Sequence, residues 1–370
     1  NKHRSKNKII AMFVFDSSPV VKSFRYLAER MVEEEQTQAD EYELMSAAQL
    51  NIGVWQPRVT GSITLISSLC MLLMAWKRRN LLFHRLVLGM SLNQLIYSSF
   101  QIYGAAAIPS DEINARGNFG TVATCTTQGF FHYVCYILSL FYYASFSVYS
   151  FVGILSNFEK EKYVWVEKYI HAVVPIYPLV TAFVILSKQG FNPGSFGGYC
   201  YVTNTPWYCD DPKYSDVPCQ RGHLNHDNYF SIAYWIIALL LPTAVMVFLY
   251  FKVKQQQSQI FIDAKVVAQQ AAIYLFVLYV AILPFFVISC MVESGHRNNI
   301  PFAVWILVNV NTNLFGLYII LIYAYFTINR LGSNGNRNGN SNGNGNATSN
   351  GNAIDKANDN DNDNDNGNDN

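Results

Sequence analysis

Apolar residues along this chain gather into seven long runs divided by shorter polar connectors. The first, "VTGSITLISSLCMLLMAW", covers Val59 to Trp76 and stops at Lys77, Arg78 and Arg79. The others run from about Arg85 to Ile108, Cys125 to Leu155, Tyr169 to Leu186, Tyr229 to Phe251, Val266 to Met291 and Pro301 to Ile328. Each is about 18 to 30 residues, enough for a helix to cross roughly 30 Å of hydrocarbon, tilted where it is longer. Membrane-spanning strands would need alternating segments of about ten residues, and that pattern is missing. The periodicity therefore predicts an all-α fold: an integral membrane bundle of seven transmembrane helices over residues 55–330.

The two ends read differently. Residues 1–54 form a polar N-terminal segment in which 17–50 carry charges at helical spacing, as in an amphipathic or solvated helix. Its opening, "NKHRSKNKIIAMFVF", joins a basic start to an apolar run of about seven residues, the lower limit for a signal-peptide core. The sequence opens on Asn1 rather than Met, which leaves room for further residues ahead of it. Residues 331–370 are Asn/Gly/Asp repeats with too little apolar content to offset the entropy of ordering, and are expected to be a disordered tail. Basic residues set the orientation. The connectors after spans one, three and five hold ten, Lys77, Arg78, Arg79, Arg85, Lys160, Lys162, Lys168, Lys252, Lys254 and Lys265. Those after spans two, four and six hold five. The N-terminus is expected outside and the tail in the cytoplasm.

Composition adds exclusions. The 370 residues are 51% hydrophobic, 14% charged and carry a net charge of +1. There is no basic cluster to serve a nucleic-acid partner. Of seven cysteines, Cys70, Cys135 and Cys290 fall inside spans. Cys125, Cys200, Cys209 and Cys219 all fall on the expected outer side, where disulfides persist. Four cysteines allow three pairings. Cys125 with Cys200 and Cys209 with Cys219 is the preferred one, tying the long loop over span three and closing a local loop.

The apolar cores contain no Asp, Glu, Lys or Arg. A proton pump or ion-coupled carrier needs a buried group to titrate, and a membrane hydrolase needs clustered His and Asp for a metal or nucleophile. The cores supply neither, so no catalytic residue, metal or cofactor is expected. Their polarity is uncharged and patterned. In span three, Gln128, His132, Ser139, Tyr143 and Ser150 share one helix face. Gln128 and His132, at its outer mouth, are candidate ligand-binding residues; hydrogen bonding between helices is the competing role. In span seven, Trp305, Asn309, Thr312 or Asn313, Gly316 and Tyr323 form a similar stripe, and Trp305 and Asn309 join the ligand set. Pro284 permits a kink in span six, Gly316 a close helix approach in span seven, and Asn93 a polar tie between spans one, two and seven.

With the expected bridge between span three and the long loop, this layout resembles a G-protein-coupled receptor. The acidic-Arg-Tyr triplet of the rhodopsin-like class is replaced after span three by "YSFVGILSNFEKEKY", and span seven has no Asn-Pro motif. Instead "FGLYIILIY" resembles the Gln-Gly…Tyr signature of secretin-like and cAMP-receptor-like (family 2) receptors, with Gly316, Ile319 and Tyr323 at matching spacing and Phe315 where that family has Gln. "CTTQGFF" and "VEKYIHAVVP" are similar to the divergent branch found in protists and algae. The resemblance covers about residues 55–330 and lacks the peptide-hormone ectodomain of secretin receptors. It implies a plasma-membrane receptor that transduces an extracellular ligand, of identity unknown, by helix rearrangement. It also implies a heterotrimeric G protein meeting Arg79, Arg85, Lys252, Lys254 and Lys265, although contact with membrane lipid is an equal use for these cations. A seven-helix transporter or channel is the alternative, with Asn309, Asn311 and Asn313 as candidate path residues.

Overall fold

The computed structural model describes residues 46–112, 115–156, 160–194, 198–206, 209, 217–222, 227–255, 261–293 and 300–338. The amphipathic helix expected over 17–50 lies almost wholly outside them, as does the Asn-rich tail beyond 338. The described chain is a helical bundle. Its elements are α1 (Ala47–Trp76), α2 (Leu82–Tyr103), α3 (Val122–Leu155), α4 (Lys160–Val173), α5 (Ile176–Ser187), α6 (Asp227–Gln255), α7 (Phe261–Glu293), α8 (Phe302–Asn313) and α9 (Phe315–Asn338). Five stretches are long and apolar enough to cross a membrane: Ala47–Trp76, Val122–Leu155, Trp165–Ser187, Ala233–Phe251 and Ala272–Met291. Phe302–Asn313 and Phe315–Phe326 make a sixth if the pair, bent by 41°, is one broken span. The second expected span, α2, is a 22-residue helix outside that set, because His84, Arg85, Asn93, Gln94 and Gln101 dilute its apolar content.

The helices are inverted relative to those of water-soluble proteins. On α1 the buried positions include Gly53, Thr60, Gly61, Thr64, Ser67 and Ser68. Ile52, Trp55, Val59, Ile66, Leu73 and Trp76 face outward at helical spacing. Small and polar residues inside with large apolar ones outside is the packing expected in lipid, where helix association gains nothing from burying apolar side chains. Contiguous apolar surface on this scale is not tolerated by soluble monomers. The same inversion recurs on α5, where Thr181 and Ala182 are buried while Val180 and Phe183 face outward. These long apolar helices are compatible with a multi-pass membrane protein.

α3 runs through the middle. Its apolar stretch is 72% buried, against 28–39% for the other four, and it packs on α2, α5, α6 and α7. It starts at a reciprocal cap, in which Thr121 accepts from the Thr124 N–H while the Thr124 hydroxyl accepts from the Thr121 N–H. One feature departs from the all-α expectation. The loop before α6 folds into an antiparallel pair, β1 (Phe191–Pro193) and β2 (Cys200–Val202). The hairpin lies on α3 because Gly129 leaves room: a Cβ there would sit 2.9 Å from that of Phe191. Two boundaries also differ. Span four divides at Val174 and Pro175 into α4 and α5, since proline removes a helix N–H. The last helix continues to Asn338, past the expected start of the tail at 331, because extending a helix costs far less than starting one.

Candidate functional site

Both preferred disulfides form. Cys125 bonds Cys200, and Cys209 bonds Cys219. The first pins β2 to the start of α3, and Gln128 completes the attachment. Its amide donates to the carbonyls of Phe100 and Gly104, each at 2.9 Å, and its oxygen accepts from the Cys200 N–H at 2.8 Å. Gln128 is therefore a strut joining α2, α3 and the hairpin. Its amide hydrogens are donated to the backbone, so the role seen for this candidate ligand-binding residue is structural.

One turn further along, His132 is placed differently. It is 3% exposed and wrapped in rings: Tyr97 at 4.5 Å between centroids, Tyr199 stacked at 4.7 Å and Tyr201 edge-on at 5.5 Å. Neither ring nitrogen has a hydrogen-bond partner. The cluster continues through Tyr136, 5.3 Å from Tyr97, to Trp235 of α6 at 5.9 Å. The Tyr136 hydroxyl and the Trp235 indole N–H are likewise buried without partners. Native proteins pair nearly all such atoms, so four unpaired ones in one ring cluster mark this as the candidate binding site. Burial pushes the Tyr199 phenol up and that of Tyr201 up to about 12, so the hairpin brings neutral rings rather than charge.

Tyr97 connects this cluster to the break between α8 and α9. Its hydroxyl donates to Asn313 Oδ1 at 2.9 Å and accepts from Gln101 Nε2 at 2.8 Å. Asn313 ends α8, and its backbone carbonyl accepts from Thr64 Oγ1 of α1 at 2.7 Å. Just past the break, Gly316 lies against α1 and α2: a Cβ there would stand 2.9 Å from Thr64 Cγ2 and 3.2 Å from Gln94. This is the close approach expected of Gly316. Asn93, expected to tie these spans, donates instead to Gly89 of its own helix. Its neighbour Gln94 faces the approach, because a one-residue step turns a helical side chain by about 100°.

The break is also joined to α7. Pro284 has no N–H to give the carbonyl of Val280, four residues back. Asn311 Nδ2 fills that role at 2.8 Å, and Thr312 Oγ1 donates to the next carbonyl, Ala281, at 3.1 Å. Asn311 Oδ1 accepts in turn from Tyr318 of α9 at 3.0 Å. Membrane helices keep prolines when neighbours satisfy the freed carbonyl in this way. Pro284 and the α8–α9 break thus form one hinge. Asn309 donates to the Trp305 carbonyl of its own helix.

The far end of the bundle is braced. Tyr323 and His84 Nδ1 are 2.7 Å apart, and Phe83 stacks on the Tyr323 ring. Arg85 and Glu167 form a two-point ion pair through Nε–Oε1 and Nη2–Oε2, and Tyr142 meets His171 at 3.0 Å. Arg85, a candidate G-protein-facing residue, ties α2 to α4 through this pair. Arg79 covers the Trp76 ring at 4.7 Å. The side chains of Lys252, Lys254 and Lys265 lie outside what the structure describes. Comparison with protein-family models and with curated proteins gives no match, so what this arrangement does is argued from its geometry.

Proposed function

We propose that the chain is a seven-span receptor of the G-protein-coupled kind that its span-seven motif resembles, with the N-terminus and hairpin outside and the tail in the cytoplasm of a plasma-membrane protein. The observation that carries this reading is the Tyr97 link. One side chain packs its ring on His132 and bonds its hydroxyl to Asn313 at the α8–α9 break. A ligand seated on His132 competes for the position of the Tyr97 ring and so acts on that bond. The break is shared with the Pro284 kink through Asn311 and Thr312, so α7 and α9 respond together. Ligand binding then favours one of two packings of the bundle. A heterotrimeric G protein reads the change at the end away from the hairpin, where Arg79 lies over the Trp76 ring; cations of the connecting loops also suit lipid headgroups. No bond is made or broken in this cycle.

The test is nucleotide exchange on a G protein co-reconstituted with the full chain in nanodiscs. Tyr97→Phe keeps the ring and removes the hydroxyl. A hydrogen bond of about 1 kcal/mol shifts a two-state ratio about fivefold, so basal exchange should change by about that factor. Unchanged exchange, together with solute flux from liposomes carrying the chain, would support a transporter instead.

A further inference from the structure

We infer that the ligand of the His132 cluster is a small, uncharged, planar heteroaromatic molecule carrying both hydrogen-bond donors and acceptors. The inference rests on the receptor reading only in that it seats a ligand at this cluster. Three observations set the class.

The first is the set of unpaired atoms: both nitrogens of His132, the Tyr136 hydroxyl and Trp235 Nε1. These residues are 3%, 6% and 1% exposed. A neutral imidazole supplies a donor and an acceptor, a phenol both, and an indole a donor. A guest that satisfies all three must both accept and donate.

The second is the absence of countercharge. Among the described buried residues there is no Asp, Glu, Lys or Arg. An ionised guest would leave water without a partner, which costs far more than a neutral polar one. An anion would bring acceptors but meet no cation. A cation could lie over the rings, but it would meet no carboxylate among the described buried residues.

The third is shape. The neighbours are rings: Tyr97 and Tyr199 both contact the His132 ring, and Trp235 meets Tyr136 edge-on. Offset-stacked and edge-to-face rings favour a flat aromatic guest. The hairpin rings close on His132 at 4.7 and 5.5 Å, so the guest is small.

The experiment measures equilibrium binding to the full chain in nanodiscs, using one ring in three charge states: nicotinamide, nicotinate and 1-methylnicotinamide, with adenine as a second neutral probe. At least one neutral probe should bind at about 1 mM or tighter, with both ions at least tenfold weaker than nicotinamide. His132→Leu and Tyr136→Phe should each weaken neutral binding about tenfold, the value of one lost hydrogen bond. If His132→Leu fails to fold, Tyr136→Phe decides alone. The inference is overturned by failure of both neutral probes at about 10 mM, a scale set by the affinity arithmetic. An ion that binds as tightly as nicotinamide, or a neutral affinity untouched by the variants, overturns it equally. Exchange in Tyr97→Phe separates the two ideas. Failed probes with shifted exchange remove the ligand class and leave the receptor; bound probes with inert exchange do the reverse.

Discussion

The two ends of the central helix treat polar side chains in opposite ways. Toward Leu155, α3 and its neighbours pair them: Tyr142 with His171, Arg85 with Glu167, and Tyr323 with His84. Toward the hairpin, one helical turn past the fully engaged Gln128, His132 and Tyr136 are buried with polar atoms unpaired. Paired groups at one end hold helices in register. Unpaired groups at the other lower stability in the free protein and are retained where a partner arrives later. Departures from polar satisfaction concentrate at functional sites for this reason, and the contrast separates a braced end from the candidate binding end.

The largest effect should come from the bond that holds the unpaired end closed. Cys125 and Cys200 are 75 residues apart, and Cys209 and Cys219 only 10. The chain-entropy relation gives about 4 kcal/mol for the longer closure and about 3 kcal/mol or less for the shorter. Replacing Cys125 and Cys200 together by Ser should lower the melting temperature in nanodiscs more than replacing Cys209 and Cys219. It should also open the His132 cluster to solvent, read as faster hydrogen exchange along the outer turns of α3. Equal losses from the two pairs would mean that the hairpin is held by Gln128 and packing rather than by the bond.

How far the sequence reaches is visible in single residues. The apolar runs located the helices, because the distance to be crossed sets their length. The redox argument singled out the four cysteines that are bonded, and left the pairing among three to preference. Gly316 was expected to allow a close helix approach, and Thr64 and Gln94 stand against it. Residues separated only by remote partners were beyond it. Gln128 and His132 share a face, and what distinguishes them is the arrival of Phe100, Gly104 and Cys200 around the first. Arg85 has the look of any cation at a helix end until Glu167, 82 residues later, folds onto it. Asn309 and Asn313 share a face of α8, yet Asn313 and Asn311 make the interhelical bonds while Asn309 bonds its own helix. Tyr97 was detectable in principle, since Gln94, Tyr97 and Gln101 lie on one face of α2, but a polar stripe in a weakly apolar helix does not say which neighbour it meets.

A second test moves to the hinge between the two ends. A Cβ at Gly316 would stand 2.9 Å from Thr64 Cγ2, so Gly316→Leu overpacks the contact of α9 with α1 and α2. Overpacking costs about 1–3 kcal/mol. Because Thr64 also bonds the Asn313 carbonyl, the loss should fall on the hinge rather than on membrane insertion. Surface expression should be largely kept while ligand- or mutation-dependent exchange per receptor falls. Lost expression with normal exchange per receptor would reduce Gly316 to an anchor residue.

The smallest effects test the contrast most directly, because their signs differ. Glu167→Gln removes the charge that Arg85 meets at two points, and its loss should destabilise by about 1 kcal/mol, kept low because Arg85 is partly open to solvent. His132→Leu removes two buried nitrogens that have no partner and leaves a side chain of similar size. Deleting an unsatisfied buried group recovers its desolvation penalty, about 1 kcal/mol or more, so this variant should melt higher than the parent. Thermal unfolding of both variants without added ligand gives the comparison in one experiment. A fall in both would mean that His132 is paired in the free protein, and the two ends of α3 would then differ only in which partners they use.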